Sequence, residues 1–79
     1  MSVHVLFFGA TADIAGRRFL QIDLAGETTA ATVLKDISER FPAMSSHNLK
    51  VAINKEYATG DEAVCDGDEL AIFTAVSGG

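Results

Sequence analysis

Val3, Val5 and Phe7 alternate with His4, Leu6 and Phe8 along the first apolar stretch of the chain. A period of two places the two sets on opposite faces of an extended strand. The segment RRFLQIDL, Arg17 to Leu24, repeats the pattern with Leu20, Ile22 and Leu24 on one face. Between them lies GATADIAG, Gly9 to Gly16, which is bracketed by glycines and reads as a loop with one helical turn. So short a connection predicts an antiparallel hairpin.

After a turn at Ala25-Gly26-Glu27, the period changes. Ala30, Val33, Leu34, Ile37 and Phe41 recur at helical spacing, and Lys35, Asp36, Glu39 and Arg40 fall opposite them. Thr28 or Thr29 is placed to cap the helix by accepting a bond from a free amide. Pro42 ends it, because proline drives its predecessor out of helical geometry. Residues 43–48 read as loop. LKVAI, Leu49 to Ile53, alternates again with Leu49, Val51 and Ile53 inward. Asn54-Lys55-Glu56 turns the chain into a short strand near Tyr57. CDGDE, Cys65 to Glu69, is a tight turn in which Gly67 is free to take a positive φ. LAIFTAV, Leu70 to Val76, is the last strand, with Leu70 and Ile72 on one face and Ala71 and Phe73 on the other.

The order strand, strand, helix, strand, short strand, strand predicts an α+β fold: one main helix packed on one face of a mixed sheet of four to five strands. This is the β-grasp, or ubiquitin-like, arrangement. In it the first and last strands lie side by side in the middle of the sheet. Residues 1–74 then form the β-grasp domain, and residues 75–79 leave it as a flexible Gly-Gly tail.

Composition narrows the function. At 79 residues and 48% hydrophobic, the chain is one small domain with enough apolar side chains for a core. Its net charge is -5, and the cations Arg17, Arg18, Lys35, Arg40, Lys50 and Lys55 are scattered. No basic stripe exists to displace counterions from a phosphate backbone, which argues against nucleic-acid binding. The acidic balance fits steering toward a basic protein partner, or solubility alone. No apolar run approaches the ~20 residues a bilayer requires, and MSVHVLFFG carries no basic leader, so the expectation is a cytoplasmic protein without membrane attachment. The lone Cys65 permits no internal disulfide and fits a reducing compartment.

Enzymatic constellations are sparse. His4 and His47 lack partners at ligand spacing, so no metal is expected, and one cysteine is too few for an iron–sulfur cluster. Cys65 reads as a small buried hydrophobe, with a sulfur-relay thiol as the alternative. DGDE is too short for a calcium loop and reads as a hairpin turn.

What remains is the end of the sequence, FTAVSGG. A carboxylate becomes electrophilic once it is activated. If an ATP-dependent partner adenylates Gly79, sulfur can attack the mixed anhydride and leave a thiocarboxylate. Glycine leaves the carbonyl uncrowded and lets the chain thread a narrow channel. Fully extended, residues 75–79 reach about 17 Å. The plain alternative is a frayed terminus.

VLFFGATADIAG (Val5 to Gly16), VAIN (Val51 to Asn54), DGDELAIF (Asp66 to Phe73) and VSGG (Val76 to Gly79) occur in the same order as in the small subunits of molybdopterin synthase, and the chain resembles that family over essentially its whole length. The resemblance implies a non-catalytic sulfur carrier of molybdenum cofactor biosynthesis, with no cofactor of its own. Gly79 would be adenylated by a ubiquitin-activating-like enzyme that uses ATP, and then thiocarboxylated. The tail, Val76, Ser77, Gly78 and Gly79, would enter the large synthase subunit and give its sulfur to cyclic pyranopterin monophosphate. Two small subunits flank a large-subunit dimer in that family.

The resemblance also assigns a partner-facing apolar patch to Phe8, Tyr57 and Phe73. Strand alternation independently puts Phe8 and Phe73 on the face away from the helix, where exposed aromatics mark interaction surfaces. Tyr57 stands where the family usually has leucine. Thr74-Ala75 replaces a frequent pair of prolines, and Ala12-Asp13 replaces a frequent Arg-Glu pair. Sulfur donation to thiamine or amino-acid synthesis, ubiquitin-like attachment to lysines, and a plain binding module are the alternative readings.

Overall fold

A computed structural model describes residues 1–74 of the chain. The elements run β1 (Ser2–Phe7), α1 (Ala10–Ala15), β2 (Phe19–Asp23), β3 (Thr28–Thr29), α2 (Ala30–Arg40), a 3-10 helix (Pro42–Ser46), β4 (Leu49–Ile53), β5 (Glu56–Ala58), β6 (Ala63–Val64) and β7 (Glu69–Thr74). Five strands form one mixed sheet in the order β2-β1-β7-β4-β5. β1 and β7 run parallel side by side near its middle, as the sequence predicts, and the β1–β2, β4–β7 and β4–β5 pairs are antiparallel. With α2 packed on one face, this is the β-grasp fold.

Alternation decides which residues are sealed. Val3, Val5 and Phe7 of β1, Ile22 of β2, Val51 of β4 and Leu70 and Ile72 of β7 all face α2 and are buried. Ala30, Val33 and Ile37 of α2 meet them from above. Each large side chain so buried contributes about 1.5–3 kcal/mol. Leu34 and Phe41, predicted on the same stripe, are partly buried and pack at the margin of this core.

α2 begins where its orphan amides find partners. Thr29 accepts from the Thr32 amide at 3.4 Å, and the carbonyls of Glu62 and Gly60 accept from the amides of Ala30 and Ala31 at 3.0 and 2.9 Å. Gly60 sits at φ +120, with the position of a Cβ only 3.4 Å from the Ala31 side chain, so this approach of loop to helix suits glycine.

The structure corrects two local readings, residues 43–48 and Cys65, and adds detail to the rest. Residues 43–48 are not plain loop: Pro42 starts a 3-10 turn that packs against α1 and α2 and drives Met44 fully into the core. GATADIAG holds a six-residue α-helix, closed by Gly16 in the left-handed region. β3 and β6 pair as a separate two-stranded sheet that the alternation is too short to announce. Cys65 is exposed, not a buried hydrophobe. In β6, Ala63 points out and Val64 in, and one step later the Cys65 amide is held in the turn by Asp68 Oδ2 at 2.8 Å. Its side chain therefore faces outward. Among the described residues no helix is long and apolar enough to cross a membrane.

Candidate functional site

The face of the sheet away from α2 carries the other half of the alternation. Tyr57 is 86% exposed and Phe8 52%, while Phe73 is half-buried. Tyr57 and Phe73 are brought together: their ring centroids lie 5.8 Å apart with planes tilted by 58°. Both the register and the geometry explain this. Phe73 lies opposite Lys50 on β4, and Tyr57 lies opposite Ala52, so the two aromatics are diagonal neighbours across β4. Phe8 falls one step beyond the last β1–β7 register pair, Phe7 with Ile72, and its amide donates to the Ile72 carbonyl at 3.1 Å. It therefore lies on the Phe73 side of the sheet, although the ring that packs on Phe73 is Tyr57's.

Tyr57 is positioned by the two-residue turn between β4 and β5. Asn54 and Lys55 both take positive φ, 49 and 74. A tight hairpin favours this twist, asparagine tolerates it, and lysine adopts it against its preference. Asn54 locks the turn from below. Its Nδ2 donates to Asp68 Oδ1 at 3.0 Å, and its Oδ1 accepts from the Glu69 amide at 3.0 Å. The DGDE turn thus braces the hairpin that presents Tyr57.

A residue that sequence reasoning passed over holds the other side of the patch. Thr11 of α1 is fully buried. Its hydroxyl accepts from the Phe8 amide at 3.0 Å and lies 2.8 Å from both the Phe8 and the Ile72 carbonyl oxygens, to one of which it donates. The side chain ties α1 to β1 and β7 next to Phe8 and Phe73. The signal was the one hydroxyl in the glycine-bracketed stretch Gly9 to Gly16.

The electrostatic feature near this end of the molecule is Glu62. Its carboxylate accepts from the amides of Thr59 and Gly60 at 2.8 Å each. Those backbone bonds to the charged form lower its pKa to about 2. A groove of about 570 Å³ runs past Tyr57, Glu62, Cys65 and Asp68. Among the described residues no three His, Cys, Asp or Glu side chains gather as a metal site. The tail readings, Val76, Ser77, Gly78 and Gly79, lie outside the described residues.

Comparison with known proteins bears on the whole chain. The ThiS family model matches residues 5–79. The chain is 34% identical over 82 residues to small archaeal modifier protein 1 of Haloferax volcanii, covering 91% of this chain and 94% of that protein. It is 34% identical over 83 residues to the molybdopterin synthase sulfur carrier subunit of Caenorhabditis elegans, covering 100% of this chain and 99% of that one. The crystal structure of SAMP1 from Haloferax volcanii aligns with a TM-score of 0.85 at 32% identity, covering 100% of both chains.

Proposed function

We propose that the chain, which belongs to the ThiS family, is a sulfur carrier whose reactive group is the Gly79 carboxylate. The carrying observation is that the family match runs over residues 5–79 and so takes in Gly78 and Gly79. Full-length similarity to a molybdopterin synthase sulfur carrier subunit supports the same reading.

In this reading residues 1–74 are the scaffold and residues 75–79 the arm that enters each partner's active site. The Gly79 carboxylate attacks the α-phosphorus of ATP on a ubiquitin-activating-like adenylyltransferase and releases pyrophosphate. A sulfur nucleophile displaces AMP from the resulting anhydride and leaves a thiocarboxylate. That sulfur is nucleophilic and is donated to cyclic pyranopterin monophosphate in the large synthase subunit, so the chemistry on the acceptor belongs to the partner. Two copies of this chain would flank a large-subunit dimer. Phe8, Tyr57 and Phe73 are the docking patch, and the chain is not an enzyme by itself.

Similarity to small archaeal modifier protein 1 favours a second reading, attachment to lysine side chains through an isopeptide bond. One experiment separates the two. The purified protein is incubated with an activating enzyme, ATP and a sulfur source, and its intact mass is measured. Carrier function gives the gain expected for replacing one oxygen by sulfur, confined to the C-terminal peptide, and deleting Gly79 abolishes it. Lysine-linked adducts without that gain support the modifier. An unchanged mass in the presence of active enzyme overturns both.

A further inference from the structure

Register places one unbroken apolar row across the open face of the sheet. Phe19 of β2 lies opposite Leu6 of β1, Leu6 opposite Ala71 of β7, Ala71 opposite Ala52 of β4, and Ala52 opposite Tyr57 of β5. The next row, Gln21, His4 and Glu69, is polar. At ~4.8 Å between strands, the row spans about 19 Å from Phe19 to Tyr57.

The row has a shape. Its two ends are aromatic and open, with Phe19 49% exposed and Tyr57 86%. Between them lie Leu6 and two alanines, Ala71 and Ala52, of which Ala52 retains only 8% exposure. The two alanines make a shallow dip, flanked by Tyr57 on one side and by Leu6 and then Phe19 on the other. Phe19 is also held in place: its ring stacks on His4 with centroids 5.6 Å apart and planes at 25°. A large exposed aromatic on an edge strand invites unwanted pairing unless something covers it. The row is continuous with the Tyr57–Phe73 pair at the other edge.

We infer that Phe19 is a second anchor for the docking partner, at the opposite edge of the sheet from Tyr57. The partner covers the full width of the sheet with an apolar ridge lying over Ala71 and Ala52. This rests on the carrier reading, with the large synthase subunit as occupant. An apolar row this long fits a preformed protein surface, and it places Phe19 among the side chains that set affinity.

The test is calorimetric titration of the full-length chain with the large subunit, with thermal melting of each variant alongside. Phe19→Ser is expected to weaken binding about tenfold with little change in melting temperature, as truncating an interface anchor does. Phe19→Lys, a residue that edge strands accommodate well, should weaken it at least as much. Gln21→Ala, on the same strand and face but one row away, should bind like the parent. If both Phe19 variants bind like Gln21→Ala while Phe73→Asp loses binding, the second anchor is overturned and the carrier reading stands. If Phe73→Asp also binds normally, the docking face itself is wrong. If sedimentation shows the free chain dimerising at the concentrations used, and Phe19→Ser abolishes that dimer without touching large-subunit affinity, the row belongs to a second copy and the inference fails.

Discussion

The two faces of the sheet are built from the same strands and differ by one step of alternation. Toward α2, Val3, Val5, Leu70 and Ile72 have no accessible surface. One residue along, Leu6, Phe8, Ala71 and Phe73 keep part of theirs. The closed face is apolar because it must hold a small domain together. The open face is apolar where folding does not require it, and Phe8, Phe19 and Tyr57 all remain substantially exposed. Isolated exposed apolars are ordinary, but an aligned set across neighbouring strands marks an interaction surface.

The sharpest way to break this contrast is to cut each face at adjacent positions. Ile72→Ala opens a cavity in the closed core and should cost about 2–5 kcal/mol of stability by urea denaturation. Phe73→Asp is its neighbour on the open face, directly opposite Lys50. The new carboxylate stays in contact with water and gains a cation across the ladder. Its stability loss should be below about 1 kcal/mol, whereas large-subunit binding should weaken by about 2 kcal/mol or more in the same titration. Equal stability losses at 72 and 73 would mean that the open face is core after all.

A smaller effect is expected at Thr11, which joins the two faces. Thr11→Val keeps the shape and removes the hydroxyl. The Phe8 amide and the Ile72 carbonyl still have each other at 3.1 Å, so no buried group is left orphaned. The cost should be about 1 kcal/mol by denaturation, the net value of an ordinary hydrogen bond. Amide exchange should rise at Phe8 and leave the β4–β5 hairpin unchanged. A loss as large as that of Ile72→Ala would show that α1 is held by this one contact.

Most of the closed face was legible in the sequence, because Val3–Phe7 and Leu70–Ile72 alternate cleanly and the Ala30–Ile37 stripe has helical period. Burial of Met44 and exposure of Cys65 were not. Each depends on what packs against a short segment, and neither segment is long enough to show a period. The pairing of β3 with β6 rests on two register pairs, which leave no pattern to detect. On the open face, alternation gave the side on which Phe8 and Phe73 lie, and Tyr57 came from the family resemblance. Phe19 was visible as the off-face neighbour of Leu20, but its alignment with Leu6, Ala71 and Ala52 is a fact of register between strands distant in sequence. The tail reading, residues 75–79, is carried by chemistry and similarity.

The smallest predicted effect lies beyond the sheet edge, in the loop that caps α2. Glu62 holds the amides of Thr59 and Gly60, while the Glu62 and Gly60 carbonyls hold the first amides of α2. The folded-state pKa, about 2, lies below the ordinary value of 4.5. A depressed carboxylate stabilises the fold fully above the unfolded pKa, and that contribution fades as pH falls from about 4.5 toward 2. Glu62→Gln keeps an acceptor but removes the charge. The variant should be less stable than the parent at neutral pH, and the gap should narrow through that acid window in denaturation measured at a series of pH values. Because the site is open to water, the difference should be small beside that of Ile72→Ala. A gap that stays constant from neutral pH to pH ~2 would mean that the loop needs two acceptor oxygens on residue 62, which a carboxamide does not supply, and not the charge.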